Sequence, residues 1–388
     1  MKYNFDELLN RENTGSLKYD LRNKIFGKSD VIPMWVADMD FRTPYFIVDA
    51  LKKCTDNQIF GYFLFDKSYY ESIINWIKRH HQWEIKQDWI SFSPGVVPSL
   101  SLLVLAFTQP GDKIIIQPPV YPPFFFTIKD NNRQVVENPL LLENGRFKMD
   151  FGNLEDKLKD AKMLILSNPH NPGGTVWKKE ELKKLGELCL KHKVLVVTDE
   201  IHSDLVFKPN KFVPLASISE EIANITIALM APSKTFNMAG LSSSSVIISN
   251  PKLKARFDEI MHTIHVGLGN MFGIAATEAA YNNGDEWLKQ LLNYIAGNID
   301  FVEKFLKERI PQIKMMRPEG TYLIWLDCRD LNLDSDELSR FFIEKANIGM
   351  NFGESFGTGG EGFMRMNVAC PRITLANALN QLLSAFNC

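Results

Sequence analysis

The chain has 388 residues, 45% hydrophobic and 23% charged, which excludes a disordered protein and supplies core material for two or three domains at roughly 150 residues each. A formal net charge of -2 excludes the strong basic excess of a nucleic-acid or anionic-membrane binder, and no run nears the ~18 apolar residues of a membrane span. Cys54, Cys189, Cys328, Cys370 and Cys388 show neither C-x-x-C pairing nor metal spacing, so free thiols in a reducing compartment are expected.

The chain opens on Met1-Lys-Tyr-Asn-Phe-Asp-Glu, mixed polar and without an apolar signal core, so the cytoplasm is the expected location. From about residue 95 the pattern alternates. Val96–Phe107 reads as a helix between Pro94-Gly95 and Pro110-Gly111. Residues 113–117 and 133–142 read as strands, and 151–160 as a helix. A buried strand at 163–166 runs into the turn Ser167-Asn-Pro-His-Asn-Pro-Gly-Gly. A helix over 178–192 leads to a strand at 194–197, which ends in Thr198-Asp199-Glu200-Ile201-His202. Strands follow at 225–229 and 245–249, the first leading directly into Met230-Ala-Pro-Ser-Lys-Thr-Phe-Asn.

Short, continuously apolar strands alternating with helices indicate a mainly parallel sheet covered on both faces. Ligands in such sheets bind beyond the carboxyl ends of the strands. Asn168, Asn171, Asp199 and Lys234 all fall there. After Pro251 the pattern changes to helices at 252–265, 272–282 and 287–309. A strand at 321–326, a helix at 335–346, a strand at 362–368 and a helix at 374–386 then form an α+β unit. The expected division is a large α/β domain at 46–286 and a smaller domain made of 1–45 plus 287–388, bridged by the helix at 287–309.

Each polar candidate has an ordinary reading when taken alone. Lys234 could be a surface lysine, Asp199-Glu200 a turn or N-cap acid, and Asn171-Pro-Gly-Gly a plain loop. Tyr121 could be packing, and Arg365 a strand-surface arginine. A lysine and an acid after buried strands also suit one chemistry. The lysine can hold an aldehyde cofactor as a Schiff base, and the acid can keep a ring nitrogen protonated. His262 and His265, three apart on the expected helix, would share a face, but no metal-ligand spacing is found among the histidines, and no metal is expected.

The order and spacing of the set resemble fold-type I, pyridoxal-phosphate-dependent enzymes of the class I/II aminotransferase superfamily. The chain is similar in particular to the cystathionine β-lyase-like C–S lyase branch. The strings that carry the likeness are Pro33-Met-Trp-Val-Ala-Asp-Met-Asp-Phe, Gly61-Tyr62, Ser93-Pro-Gly-Val-Val-Pro, Pro118-Pro-Val-Tyr-Pro-Pro-Phe, Asn168-Pro-His-Asn-Pro-Gly-Gly, Asp199-Glu-Ile-His-Ser-Asp-Leu, Ala231-Pro-Ser-Lys-Thr-Phe-Asn-Met-Ala-Gly-Leu and Gly360-Glu-Gly-Phe-Met-Arg-Met-Asn. They span nearly the whole chain.

The resemblance implies pyridoxal 5'-phosphate as cofactor, an amino acid as substrate, and a homodimer with shared sites. It assigns Lys234 to the cofactor aldehyde and to the Cα proton, Asp199 to the pyridine nitrogen, and Asn171 to the phenolic oxygen and substrate. Tyr121 would stack on the ring. Val96 and Val97 would offer backbone N–H groups to the phosphate, Ser233 a hydroxyl, and Tyr62 would reach it from the neighbouring subunit. Arg365 would bind the substrate carboxylate, with the Ala37 backbone nearby.

Two positions depart from the aminotransferases. His202 stands where they usually carry tyrosine, and Ser242 where they usually carry a phosphate-binding arginine. His202 is open to two readings, filling space beside the cofactor or moving a proton. The resemblance thus implies α,β-elimination from cystathionine or cysteine, releasing a thiol, pyruvate and ammonia. An aminotransferase would use the same set. A cofactor-binding regulator without catalysis is disfavoured by the presence of Lys234, Asp199, Asn171 and Arg365 together.

Overall fold

A computed structural model describes residues 2–386. Cys388 lies outside the described residues; Cys54, Cys189, Cys328 and Cys370 are free thiols, three of them buried. The larger sheet has seven strands, here β1 (Ile90–Ser93), β2 (Lys113–Ile116), β3 (Gln134–Glu137), β4 (Ala161–Ser167), β5 (Leu195–Asp199), β6 (Thr226–Met230) and β7 (Ser244–Ile247). Their order across the sheet is β1-β7-β6-β5-β4-β2-β3. β3, β2, β4, β5 and β6 pair in parallel, whereas β7 runs antiparallel to both its neighbours.

The apolar runs follow from burial on both faces. Along β4, Met163 and Ile165 pack with Val96, Leu100 and Phe257, from the helices Val96–Phe107 and Pro251–Thr263. The alternate residues Leu164 and Leu166 pack with Leu154, Leu182 and Leu185, from Phe151–Leu158 and Lys179–His192. A strand sandwiched this way has no polar face, so period-two alternation disappears from its sequence. The layering is helix–sheet–helix, the α/β class expected.

The second sheet is antiparallel. It contains β8 (Lys314–Met316), β9 (Leu323–Asp327), β10 (Asn351–Phe352) and β11 (Phe363–Asn367), in the order β8-β9-β11-β10. The helix Asp285–Arg309 runs between the two sheets: Trp287 Nε1 donates to Thr235 O at 3.0 Å, and Asn298 Nδ2 to Val368 O at 2.7 Å.

Three expectations change. The strand expected at 133–142 is broken after Glu137 and resumes as the hairpin strand Leu141–Glu143, because Asn138-Pro139 interrupts the ladder. The helix bearing His262 ends at Thr263, and His265 adopts a left-handed φ of 56°, so the two histidines do not share a helix face. The helix expected at 335–346 is regular only over Ser335–Arg340 and closes in a π turn, Phe341–Lys345. Helices Tyr45–Asp56, Lys67–His81 and Pro123–Lys129 were not expected at all. Among the described residues no helix is long and apolar enough to cross a membrane.

The N-terminal segment is tied to the small domain's chain by a separate two-stranded parallel ladder and by hydrogen bonds from β11. Ile32 pairs with Ile348 and Pro33 with Gly349. Asn367 N donates to Met34 O, and its side chain to Val36 O and Asp38 O. A buried ionic cluster holds the segment's far end. Lys18, 1% exposed, donates to Asp40 at 2.8 Å, and Arg11 reaches both Asp38 and Asp40 at 2.6 Å.

Removing one member of a buried charge cluster strands the others. Asp40→Ala leaves Lys18 with Asp38 at 3.6 Å, and should lower unfolding stability by about 3–5 kcal/mol in denaturant titration. A loss below about 1 kcal/mol, the scale of an exposed pair, would contradict this reading of the cluster.

Candidate active site

The carboxyl ends of β4, β5 and β6 open into a cleft of about 790 Å³, part of it facing solvent. Its walls include Ala37, Gly95, Val96, Val97, Tyr121, Asn171, Asp199, His202, Ser233, Lys234, Ser242 and Ser243. In strand register Ser167 lies beside Asp199 and Asp199 beside Leu229, so the Asn171 turn, the acid and the lysine loop emerge side by side.

Asp199 is 6% exposed, and its Oδ1 accepts the Ile201 N–H at 3.1 Å. Burial raises its pKa to about 6, against the lowering effects of that hydrogen bond and of Lys234. Lys234 Nζ donates to Ala37 O at 2.6 Å. Burial pulls its pKa down to about 8; Arg365 adds to the fall, while Asp38 and Asp199 oppose it. A lysine so placed carries far more free amine near neutral pH than an exposed lysine does, which favours attack on an aldehyde.

The helix Val96–Phe107 starts at the cleft wall. Its first-turn N–H groups have no partner within the helix, and Pro98 offers none, so Val96 and Val97 present the donors. Ser233, Ser242 and Ser243 add hydroxyl groups nearby. Donors at a helix N-terminus suit a phosphate.

Arg365 comes from β11 and is 5% exposed. It donates to Asn171 Oδ1 at 3.0 Å, to Trp35 O at 2.9 Å and to Asn351 Oδ1 at 2.6 Å. Its Nε–H is buried without a partner. Burial lowers its pKa to about 10, so it remains charged near neutral pH. Asn171 spends its oxygen on Arg365, which leaves its Nδ2 as a donor. His202 is buried, with Nδ1 lacking a partner, and burial depresses it well below the usual histidine range, so the ring is neutral. Burial also raises the Tyr121 hydroxyl.

These orphaned buried donors, a buried carboxylate and a lysine of lowered pKa fit a ligand with an aldehyde, a basic ring nitrogen, a phosphate and a bound carboxylate. Ten of the eleven candidate residues gather here. Tyr62 does not; it is 99% exposed, with Ile59, Phe60 and Leu64 exposed around it. Two residues escaped notice. Tyr322, fully buried, donates to Ala37 O at 2.8 Å and packs edge-on to His202. Asn351 holds Arg365. Neither sits in a turn-rich string after a strand, and nothing local in the sequence marks them. His170 is structural: burial holds it near pKa 3, and its Nε2–H donates to Pro119 O. Among the described residues no group of three or more metal-ligating side chains converges.

A family model described as aminotransferase class I and II matches residues 29–382. The chain is 44% identical over 386 residues to cystathionine beta-lyase PatB of Bacillus subtilis (strain 168), covering 99% of this chain and 100% of that one. A PLP-bound putative aminotransferase from Clostridium difficile 630 superposes with a TM-score of 0.98 at 47% identity, over all of both chains. Cystalysin from Treponema denticola, which contains pyridoxal 5'-phosphate, superposes with a TM-score of 0.97 at 39% identity, over 100% of this chain and 99% of that one.

The depressed lysine gives a direct test. Above about pH 8 the Lys234 amine is mostly unprotonated and nucleophilic. Reductive methylation of the cofactor-free chain by formaldehyde, followed by peptide mass spectrometry, should show Lys234 modification rising with a midpoint near 8. A midpoint shared with the surface lysines would contradict the burial argument.

Proposed function

Because this chain belongs to the class I and II aminotransferase family, we propose that it is a pyridoxal-phosphate-dependent carbon–sulfur β-lyase. Its substrates are L-cystathionine and L-cysteine-type amino acids, and its products are a thiol, pyruvate and ammonia. The observation that carries this reading is the full-length 44% identity to a cystathionine beta-lyase. His202 and Ser242 in the cleft wall support it.

Pyridoxal phosphate, when bound, supplies an aldehyde that captures the substrate amine and a protonated ring that takes up negative charge from Cα. The chain's own residues do the rest. Asp199 keeps its negative charge for the ring nitrogen, and Asn171 offers Nδ2 to the phenolic oxygen. Val96 N–H, Val97 N–H and the Ser233 hydroxyl would hold the phosphate. Tyr121, in the cleft wall, would cover the ring and exclude water. Arg365 takes the substrate carboxylate with its free Nε–H and a remaining Nη–H, close to the Ala37 backbone. That grip turns Cα–H towards Lys234, which removes the proton. The Cβ–S bond then breaks, since a thiolate leaves more readily than hydroxide. Water completes the release of pyruvate and ammonia.

The catalytic unit is proposed as a homodimer in the cytoplasm, with the large domain at 46–286 and the small one at 1–45 plus 287–388. The exposed apolar stretch around Tyr62 supports the dimer, and the unpaired buried thiols fit a reducing compartment. Tyr62 would then complete the phosphate site of the partner subunit. An aminotransferase reading shares every group named, and the putative aminotransferase of C. difficile keeps it in view.

Purified protein given L-cystathionine without any keto acid should form pyruvate, and Lys234→Ala should reduce the rate by at least ~10²–10⁴-fold, the usual worth of a positioned proton-transfer group. Amino transfer to an added keto acid with no pyruvate would overturn the lyase reading. Co-expressed Tyr62→Ala and Lys234→Ala subunits should recover activity that neither variant has alone. No recovery in confirmed hybrids would remove the shared site.

A further inference from the structure

Consecutive carbonyls of the N-terminal segment, from Trp35 to Asp38, each accept a side-chain donor from the small-sheet side. Trp35 O takes Arg365 at 2.9 Å, and Val36 O and Asp38 O both take Asn367 Nδ2 at 2.6 Å. Ala37 O takes the Tyr322 hydroxyl at 2.8 Å. It also takes a second donor, from the loop after β6: Lys234 Nζ at 2.6 Å. A carbonyl has two lone pairs, so both donors fit, and it can only accept, so the tyrosine must donate. Tyr322 stands immediately before β9 and is fully buried. Its own carbonyl accepts the Val368 N–H at 2.9 Å, and its ring lies edge-on to His202 with centroids 6.0 Å apart. Burial lifts its hydroxyl well above the usual tyrosine range, so it stays protonated.

The site asks different things of the two donors. An amine that condenses with an aldehyde forms a C=N double bond and loses both N–H hydrogens, which leave with the aldehyde oxygen as water. A lysine bonded that way has given up the donors it held towards Ala37. A proton that returns to the nitrogen lies in the plane of the double bond, so the cofactor and not Ala37 sets its direction. We propose that Tyr322 is a positioning residue that keeps the Ala37 carbonyl paired when Lys234 leaves it. Lys234 is thereby released to the cofactor aldehyde without freeing the N-terminal segment that Arg365 and Asn367 also hold. This rests on the role proposed above for Lys234, and not on the choice between lyase and aminotransferase.

Tyr322→Phe removes the hydroxyl and keeps the ring against His202. In the cofactor-free chain Ala37 O then still has Lys234; in the loaded chain it has neither donor, so the cost falls on cofactor binding. Titration of the full chain with pyridoxal phosphate should give a dissociation constant about tenfold higher for Tyr322→Phe than for wild type, the scale of stranding one acceptor. In a Lys234→Ala background Ala37 O has no lysine to lose, and the same substitution should leave the constant unchanged. A general packing defect weakens both backgrounds alike. An unchanged constant in the first background, or equal losses in both, would overturn the proposal. So would a Tyr322→Phe chain that does not fold, since the hydroxyl would then serve the fold itself. The visible absorbance of the bound cofactor tests the lysine separately. It should be lost in Lys234→Ala, and its persistence there would remove the lysine's role and this proposal with it. None of these readouts uses a substrate, so failure of the lyase reading remains distinguishable.

Discussion

The site depends on burying a lysine and a carboxylate at the ends of neighbouring parallel strands. Water would hold Lys234 fully protonated and Asp199 fully ionised. Burial moves both towards neutrality, to about 8 and about 6, while each favours the other's charged form through space. The lysine can then exchange protons near neutral pH, and the acid retains a charge to give to a ring nitrogen. Both effects come from one architectural fact: β5 and β6 are sheathed on both faces, and their ends are the floor of a cleft.

The rest of the chain holds other groups to that floor. The small sheet brings Arg365 in from β11, and Asn351 from β10 fixes it. The N-terminal segment passes between the sheets, where Ala37 O meets both Lys234 and Tyr322. The Lys18–Asp40–Arg11 cluster locks this segment in place. An amine keeps N–H donors whether or not it is charged, so Lys234 can rest on the Ala37 carbonyl in either protonation state.

Much of this was legible in the sequence because strand ends, turns and helix starts carry local signatures. The apolar runs before Asp199 and Lys234, Pro94-Gly95 before a helix, and the double Asn-Pro turn each mark a position by themselves. The antiparallel direction of β7 was not legible, since an apolar run buried on both faces reads the same either way. Among the unexpected helices, Lys67–His81 does space its buried residues at helical intervals, so its signal was present, though no strand-and-turn motif stands beside it. Tyr322 and Asn351 depend on contacts between distant segments, and only the folded chain brings those together. Tyr62 is the opposite case. Its motif was plain, and the single chain leaves it in solvent.

Lyase and aminotransferase share Lys234, Asp199, Asn171 and Arg365, and they differ in where the substrate nitrogen goes. Turnover of L-cystathionine labelled with ¹⁵N at the amine nearest the cleaved bond, in the presence of a keto acid, follows that atom directly by NMR. A β-lyase releases labelled ammonia, and that is the expected result. Label appearing in a new amino acid formed from the keto acid, with none in ammonia, would contradict it.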